Sequence, residues 1–155
     1  MLAATAGFSP FNFPKARVFL GDVGSHALGY CLSLLLGRAL LDGGISTSLA
    51  FMLLSALLID TGLTLSLRIV RAEHFWRAHC DHLYQWALRV GSTHARVCVC
   101  YASWTIVMLL LALRLQSTGP TSQATVAWLV ALTAATIYFL LKRRWLNRIG
   151  LEPML

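Results

Sequence analysis

Residues 97–115 read VCVCYASWTIVMLLLALRL, and residues 123–141 read QATVAWLVALTAATIYFLL. A hydrocarbon core of ~30 Å is crossed by about 20 apolar residues in a helix, so both stretches have the length of a membrane span. Two further apolar segments, 25–41 and 45–70, approach or exceed that length. We therefore predict an all-α integral membrane protein with about four transmembrane helices, at 25–41, 45–70, 97–115 and 123–141.

The composition excludes other classes of protein. Hydrophobic residues make up 57% of the chain and charged residues 12%, with a mean hydropathy of +0.68, whereas a soluble domain has about 45–50% and ~25%. The same values exclude a disordered chain, which needs low hydrophobicity and high charge. The net charge of +7 does not indicate nucleic-acid binding, because the basic residues lie between apolar runs and form no basic face on a soluble module. Three of the four cysteines lie in the apolar segments, so no disulfide framework is expected.

The basic residues predict the orientation of the spans, because lysine and arginine in short loops stay on the cytoplasmic side. Four crossings put both termini on one side. If that side is cytoplasmic, it carries residues 1–24, a loop over 71–96 that we call the histidine loop, and a basic tail over 142–155. Eleven basic residues then lie inside: Lys15, Arg17, Arg68, Arg71, Arg77, Arg89, Arg96, Lys142, Arg143, Arg144 and Arg148. Only Arg38 and Arg114 lie near the outer ends, so the sequence predicts an inner-membrane protein with both termini cytoplasmic, and Gly43 and Pro120 outside.

The stretch from residue 12 to residue 25, NFPKARVFLGDVGS, has two interpretations. Gly21 and Gly24 allow a tight turn and the close approach of a ligand, and a carboxylate such as Asp22 beside a helix start suits a hard divalent cation. The alternative is a capped turn, because Asp and Gly are common in turns and Ser25 is a good N-cap residue for the following span.

The histidine loop is predicted to form a helix along the membrane surface, with an apolar side at helical spacing and with His79 and His82 on one face. That apolar side comprises Leu83, Trp86 or Ala87, and Val90. A structural zinc site is not favoured, since it needs four ligands that the neighbouring Cys80 and Asp81 cannot supply on the same face. Phosphate contact by the two histidines with Arg77 is the functional interpretation; a solvated loop facing lipid headgroups is the alternative.

Three pieces of the sequence together resemble one family. They are the Phe11-Asn12 to Pro14 lead-in, the Val18 to Ser25 motif VFLGDVGS, and the His79 to Gln85 stretch followed by Ser92-Thr93-His94. These match the membrane transferases that move an N-acetylhexosamine 1-phosphate from a UDP-sugar to polyprenyl phosphate, often called glycosyl transferase family 4. The histidine stretch, with Tyr84 and Gln85, looks closer to the branch that initiates O-antigen or surface polysaccharide than to the peptidoglycan branch, which carries consecutive histidines.

The resemblance implies a role for each matched residue. Asp22 falls on the family's metal-binding aspartate, so catalysis with Mg²⁺ is expected there. Asn12 falls near the nucleotide site, and His82, with His79 and Arg77, falls on the cytoplasmic histidine motif that is linked to the UDP-sugar. The expected reaction transfers N-acetylhexosamine 1-phosphate to polyprenyl (undecaprenyl) phosphate and releases UMP, as the first step of a cell-surface glycan such as lipopolysaccharide. Membrane lipid is the other expected partner, and no nucleic acid is expected.

Two alternatives remain open. A small transporter would use Asp60, within the second span, as an ion-coupling group, although pairing with Thr61, Thr64 or a neighbouring helix is the favoured explanation of this acid. A truncated, inactive remnant or subunit is the other alternative, because the resemblance corresponds to the carboxy-terminal half of the family enzymes. The family's adjacent aspartates do not occur in this sequence. We therefore expect that the chain alone does not catalyse transfer, and that a second chain or a homodimer completes the site.

Overall fold

The computed structural model describes residues 1–74, 76–77 and 79–149, and for Arg148 and Ile149 it describes the backbone only. The part of the basic tail over 150–155 lies outside the described residues. The described residues form six helices: α1 Leu2–Asn12, α2 Gly21–Leu41, α3 Thr47–Val70, α4 Leu83–Arg89, α5 His94–Leu115 and α6 Pro120–Ile149. No strand occurs in this described part, so the prediction of an all-α protein is confirmed.

Local sequence explains where several helices begin and end. The hydroxyls of Ser46 and Thr93 accept hydrogen bonds from backbone N–H groups in the first turns of α3 and α5, at 3.3 Å in each case, which satisfies donors that have no partner inside the helix. After α2, Gly43 has a φ of +68°, and the N–H of Gly44 donates to the carbonyl of Ala39 at 2.9 Å. This left-handed residue closes the helix end, and glycine adopts it without steric cost.

Three helices are long and apolar enough to cross a membrane: α3, α5 and α6 over Pro120–Asn147. Helix α3 packs against both α5 and α6. Their shared apolar core lies toward the start of α3 and is formed by Leu49, Met52, Met108, Ala112, Ala127 and Val130. The span expected over 25–41 is helical, as α2, but α2 is not among those three helices and buries no residue, so the fourth crossing stays a prediction.

Successive long helices run in opposite directions, so the loops between them lie at two ends of the bundle. At one end, the Gln116 side-chain amide donates to the Gly44 carbonyl at 3.2 Å, so the loops after α2 and α5 meet there. At the other end, the Nε2 atom of His94, in the first turn of α5, lies 3.3 Å from the Oδ1 atom of Asn12, the last residue of α1. This second end, which we call the loop end, also holds the end of α3, α4 and the end of α6, since α4 packs against α5 and α6.

Two local expectations were wrong. The histidine loop is not one helix: among its described residues only Leu83–Arg89, α4, is helical, because the chain leaves α3 at Arg71 and turns back through Ala72, whose φ is +55°. Ser25 is not the N-cap of α2, which begins at Gly21 with Leu20 as its N-cap residue. The Ser25 hydroxyl lies inside the helix and donates to the Asp22 carbonyl at 3.1 Å.

The basic tail also differs from its expected form. Helix α6 continues to Ile149, so residues 142–149 extend a transmembrane helix. Lys142, expected in the basic cytoplasmic tail, is only 8% exposed, and its Nζ atom donates to the Tyr138 hydroxyl at 2.9 Å. The cause is its position: four residues after Tyr138, it lies on the face of α6 that packs against α3.

The two ends of the bundle give a labelling prediction. In a variant with all four cysteines replaced by alanine, we expect Ser117→Cys to react with a membrane-impermeant maleimide added to intact cells, and Thr93→Cys to react only after the cells are permeabilised. The reason is the predicted cytoplasmic position of the loop end, which carries most of the basic residues. Labelling of Thr93→Cys in intact cells would reverse the orientation.

Candidate functional site

A buried carboxylate, Asp60, is the centre of the polar contacts at the loop end. It lies on α3 and is 5% exposed. Its Oδ1 atom accepts hydrogen bonds from the Leu83 backbone N–H at 2.8 Å and from the Thr64 hydroxyl at 3.4 Å, and its Oδ2 atom accepts from the Tyr101 hydroxyl at 2.8 Å. A buried carboxylate needs such donors, because desolvation without them costs several kcal/mol. Asp60 therefore joins α3 to the start of α4 and to α5.

The same network continues to α6 through two hydroxyls. The Thr64 Oγ1 atom lies 3.0 Å from the Tyr138 hydroxyl, which in turn accepts from the Lys142 ammonium. An ammonium only donates, so the Tyr138 proton is directed to Thr64, and the Thr64 proton to Asp60. The chain Lys142, Tyr138, Thr64, Asp60 thus links a buried positive charge to a buried negative charge across α6 and α3.

His82 lies directly beside Asp60. It is the N-cap residue of α4, and its backbone N–H donates to the Gln85 side-chain oxygen at 3.1 Å. Its Nδ1 atom is 3.8 Å from the Asp60 Oδ1 atom, which is an ion-pair distance but too long for a hydrogen bond. The ring centroid of His82 is 5.1 Å from that of His79 and 5.9 Å from that of Tyr84, which is stacked at 12°. His79 and His82 are therefore close together, as expected. The surface helix that was predicted to bring them together is not present at these residues.

Tyr84 brings a phenol to this group. Burial raises the pKa of the Tyr84 phenol above its ordinary value of 10.0, and electrostatic repulsion from Asp60 and, to a lesser extent, from Cys80 raises this pKa further. Tyr84 is still 42% exposed. A phenol with a raised pKa stays protonated at neutral pH, so it can donate a hydrogen bond to a phosphate or sugar oxygen.

Arg68, near the end of α3, organises the first part of the histidine loop. Its Nη1 atom pairs with the Asp81 carboxylate and, at 2.8 Å, with the Glu73 carboxylate, while Nη2 donates to the His74 carbonyl at 3.3 Å. The Arg68 side chain is 14% exposed. Partly buried, charge-assisted contacts of this kind are stronger than exposed ones, so they hold Asp81, and with it the neighbouring His82, against the end of α3.

Asn12 is also brought to the loop end. Its amide donates to the Val18 carbonyl at 3.1 Å, which folds the segment between α1 and α2 back on α1. Its Oδ1 atom faces His94, and the Nε2 atom of His94 also lies 3.4 Å from the Sγ atom of Cys98. The nucleotide-site asparagine expected from the sequence therefore contacts the Ser92-Thr93-His94 segment, at the same end as His82.

Asp22 occupies the first turn of α2, next to Gly21, whose φ is +67°. The residue is exposed. Helix α2 runs from here to the loop at Gly44, so Asp22 lies toward the loop end. A carboxylate in this position fits Mg²⁺, which takes one or two protein carboxylates and keeps several waters. No group of three or more His, Cys, Asp or Glu side chains that could hold a metal ion is present among the residues described.

An apolar cavity of about 350 Å³ lies between α3, α4, α5 and α6, next to the Asp60 network. Its lining includes Asp60, Tyr84, Arg96, Tyr101 and Trp145. The exposed Arg96 brings a cation to this cavity, so an anionic group could meet a positive charge there.

Some of the predicted site residues come together and others do not. His79 and His82 are adjacent, whereas the structure gives the Arg77 guanidinium no hydrogen bond or ion pair with either histidine within the described parts of the loop. Asp60 was expected to pair with a hydroxyl, and its contact with Thr64 confirms this. Its contact with Tyr101 on α5 confirms the expected pairing with a neighbouring helix. Its contact with the Leu83 N–H was missed, and the signal available was the cost of an acid inside a span, which requires several donors.

Comparisons with known proteins relate this chain to one family and to two polyprenyl-phosphate transferases. A family model described as glycosyl transferase family 4 matches residues 1–39, the range that contains Asn12 and Asp22. A "Probable undecaprenyl-phosphate N-acetylglucosaminyl 1-phosphate transferase" from Bacillus subtilis is 29% identical over 96 residues, covering 61% of this chain. A "Decaprenyl-phosphate N-acetylglucosaminephosphotransferase" from Mycobacterium tuberculosis is 30% identical over 119 residues, covering 67% of this chain. No solved structure gives a significant match.

The matched regions span 27% and 29% of the lengths of these two relatives. The similarity therefore extends over much of this chain and over less than a third of each relative. The family match contains Asn12 and Asp22, and the matches do not distinguish the O-antigen branch from its neighbours. The three apolar helices indicate a membrane protein, and the family model and the two relatives together support its membership of glycosyl transferase family 4.

Proposed function

We propose that this chain takes part in the transfer of N-acetylhexosamine 1-phosphate from a UDP-sugar to polyprenyl phosphate, with release of UMP, at the cytoplasmic face of the inner membrane. One observation carries the proposal: Asn12 and Asp22, inside the family match, lie toward the same end of the bundle as His82, and Asn12 contacts α5 through His94. Similarity to two polyprenyl-phosphate N-acetylglucosamine phosphate transferases supports the class of reaction.

The residues at the loop end suit a phosphoryl transfer. Such a reaction is catalysed mainly by positioning the reacting groups and by neutralising the charge on the phosphoryl oxygens. In the proposed site, the His82 and His79 rings and the neutral Tyr84 phenol face the donor's diphosphate and sugar. The exposed guanidinium of Arg96 supplies positive charge at the apolar cavity, where an isoprenoid acceptor would lie in lipid.

The metal in this proposal is magnesium, and Asp22 is the residue that would hold it. When bound, Mg²⁺ neutralises diphosphate charge and orients the leaving group. Asp22 contributes a charged oxygen at the start of α2, where the helix N-terminus favours the approach of diphosphate anions. Asn12 holds the segment between α1 and α2 through its hydrogen bond to Val18, and thereby fixes the approach to Asp22.

The second candidate is a non-catalytic subunit of such a transferase. It is favoured by the exposure of Asp22 and by the lack, in the described residues, of a metal-binding cluster around it. In that case the chain would contribute fold and substrate contacts, and a partner would contribute the remaining charges. The two candidates differ in whether Asp22 and His82 affect the rate of transfer.

The assay measures UMP release in membranes supplied with UDP-GlcNAc, polyprenyl phosphate and Mg²⁺. The membranes contain this chain expressed together with the upstream portion of a related transferase, which we call the companion segment. UMP release above the level of membranes with the companion segment alone supports the proposal. If no UDP-sugar donor yields UMP in membranes that contain both proteins, the proposed function is wrong.

A histidine substitution separates the two candidates. We expect His82→Ala to lower the rate of UMP release by at least about tenfold, because the ring lies at the centre of the proposed donor site. His74→Ala is the matched control, since its ring contacts only Trp76 among the described residues, at 4.9 Å between centroids, and it should retain most of the rate. Equal rates for the two variants would favour the non-catalytic subunit.

A further inference from the structure

We propose that Asp60 is a positioning residue: its buried carboxylate fixes the start of α4, and through it the His82 side chain that faces the substrate. The functional part of this inference rests on the proposed function, but the positioning itself can be tested without any activity. In this role, an acid inside a membrane span supports the site. The alternative roles for Asp60 are ion coupling and simple pairing of helices.

Several hydrogen-bond donors converge on the Asp60 carboxylate. An ionised carboxylate only accepts hydrogen bonds and has about four lone-pair positions. Three are used, by the Leu83 N–H, the Thr64 hydroxyl and the Tyr101 hydroxyl. The Leu83 contact is the one that a packing role would not require, because it comes from the backbone of a loop 23 positions away in the sequence.

The hydrogen bond from Leu83 to Asp60 lies at the start of α4. Leu83 is the first residue of α4, and its N–H is one of the four that have no acceptor inside a helix. Asp60 supplies that acceptor from another helix, and its negative charge also suits the positive end of α4. His82 precedes Leu83, so a fixed Leu83 N–H also fixes the backbone from which the His82 ring projects.

The remaining contacts keep the carboxylate from moving. Tyr101, on α5, holds the Oδ2 atom, and the Thr64 hydroxyl is oriented by Tyr138 and Lys142 on α6. The carboxylate is therefore held by three helices and presents its Oδ1 atom to the fourth. A rigid support for the start of α4 is what a reaction that depends on position requires.

The test uses hydrogen exchange of the purified chain in lipid nanodiscs, read at the Leu83 amide. Asp60→Leu keeps the branching of the side chain at Cγ, although leucine is larger, and removes both acceptors. We expect it to speed exchange at Leu83 by at least about tenfold, because the amide loses its partner, while amides in the middle of α5 keep their protection. Asp60→Asn should restore most of the protection, since its amide oxygen can accept from Leu83 and the Tyr101 hydroxyl can turn to accept from its NH₂ group.

A matched control separates positioning from loss of helix pairing. Ser55 lies on the same helix, is fully buried, and accepts a hydrogen bond from the Trp104 indole N–H of α5 at 2.9 Å. Ser55→Ala therefore removes a contact between the same two helices at a point away from the histidine loop. We expect it to leave exchange at Leu83 unchanged. Native exchange at Leu83 in Asp60→Leu, or equal acceleration in Ser55→Ala, would overturn the positioning role.

The functional arm uses the UMP assay with the companion segment. We expect Asp60→Leu to lower kcat by about tenfold or more with a smaller effect on the KM for the UDP-sugar, and Asp60→Asn to recover most of kcat. Native kcat in Asp60→Leu would show that the support does not serve the reaction. Failure of the native chain to release UMP would instead refute the proposed function, and the exchange result would still decide whether Asp60 positions the histidine loop.

Discussion

Asp22→Asn is expected to lower the rate of UMP release by about 10²–10³-fold in membranes that contain the chain and the companion segment, without changing membrane insertion. The substitution keeps the size of the side chain and removes its charge, and losses of this size are typical when one electrostatic contact to a reacting group is removed. Asp22 is exposed in the first turn of α2, and that helix buries no residue, so we expect the substitution to leave folding intact.

The control for this prediction lies at the other end of the same helix. Asp42 follows α2 and pairs on the surface with Arg38 at 2.8 Å. Exposed pairs of this kind contribute little to stability, so Asp42→Asn should keep the native rate. Raising the Mg²⁺ concentration should partly rescue Asp22→Asn, because a weakened site is refilled by mass action. A native rate for Asp22→Asn at low Mg²⁺ would favour the capped-turn interpretation of the Gly21-Asp22 motif.

The long apolar helices could be predicted from sequence because the signal is local. Hydropathy over about 20 residues is sufficient to identify α3, α5 and α6, and the turn residues at Gly43 and Pro120 mark their connections correctly. The segment over 25–41 is interrupted by Gly29, Gly37 and Arg38, which weaken the same signal. The sequence is therefore informative where one property persists along a helix, and less so where it does not.

Contacts between distant residues were the part that sequence patterns missed. Helical spacing in the histidine loop suggested a surface helix, but the pairing of Arg68 with Asp81 and the hydrogen bond from Leu83 to Asp60 bend the loop onto α3. Lys142 likewise belongs to a basic cluster in sequence and to a buried network in space. Both errors have one cause, since a partner on another helix can override a local preference.

The candidate site could be predicted as a set of residues but not as an arrangement. The motifs identify Asn12, Asp22 and His82, and they lie toward one end of the bundle. The motifs do not indicate that Asn12 reaches His94 or that Asp60 supports the start of α4. These contacts join helices that are far apart in sequence, and no spacing rule connects their positions.

The chain without its companion segment is expected to release no UMP above background. Phosphoryl transfer needs several charges around the reacting phosphates, and a magnesium site built on one carboxylate supplies few of them. The sequence contains no adjacent aspartates, and of its six acids Asp42, Asp60, Glu73 and Asp81 already have partners among the described residues. We therefore expect further charges to come from another protein segment.

The helices that carry Asn12 and Asp22 point to the same requirement. Neither α1 nor α2 buries a residue, and large apolar side chains on α2 such as Val23 and Leu41 are 87% and 86% exposed. In lipid, such helices are held in place only by packing against other helices. Without such packing, Asp22 would not be held well enough for catalysis. We expect the companion segment to restore UMP release, and Asp22→Asn to abolish the restored activity. Strong UMP release by the purified chain alone, lost in Asp22→Asn, would contradict this prediction and indicate that a second copy completes the site.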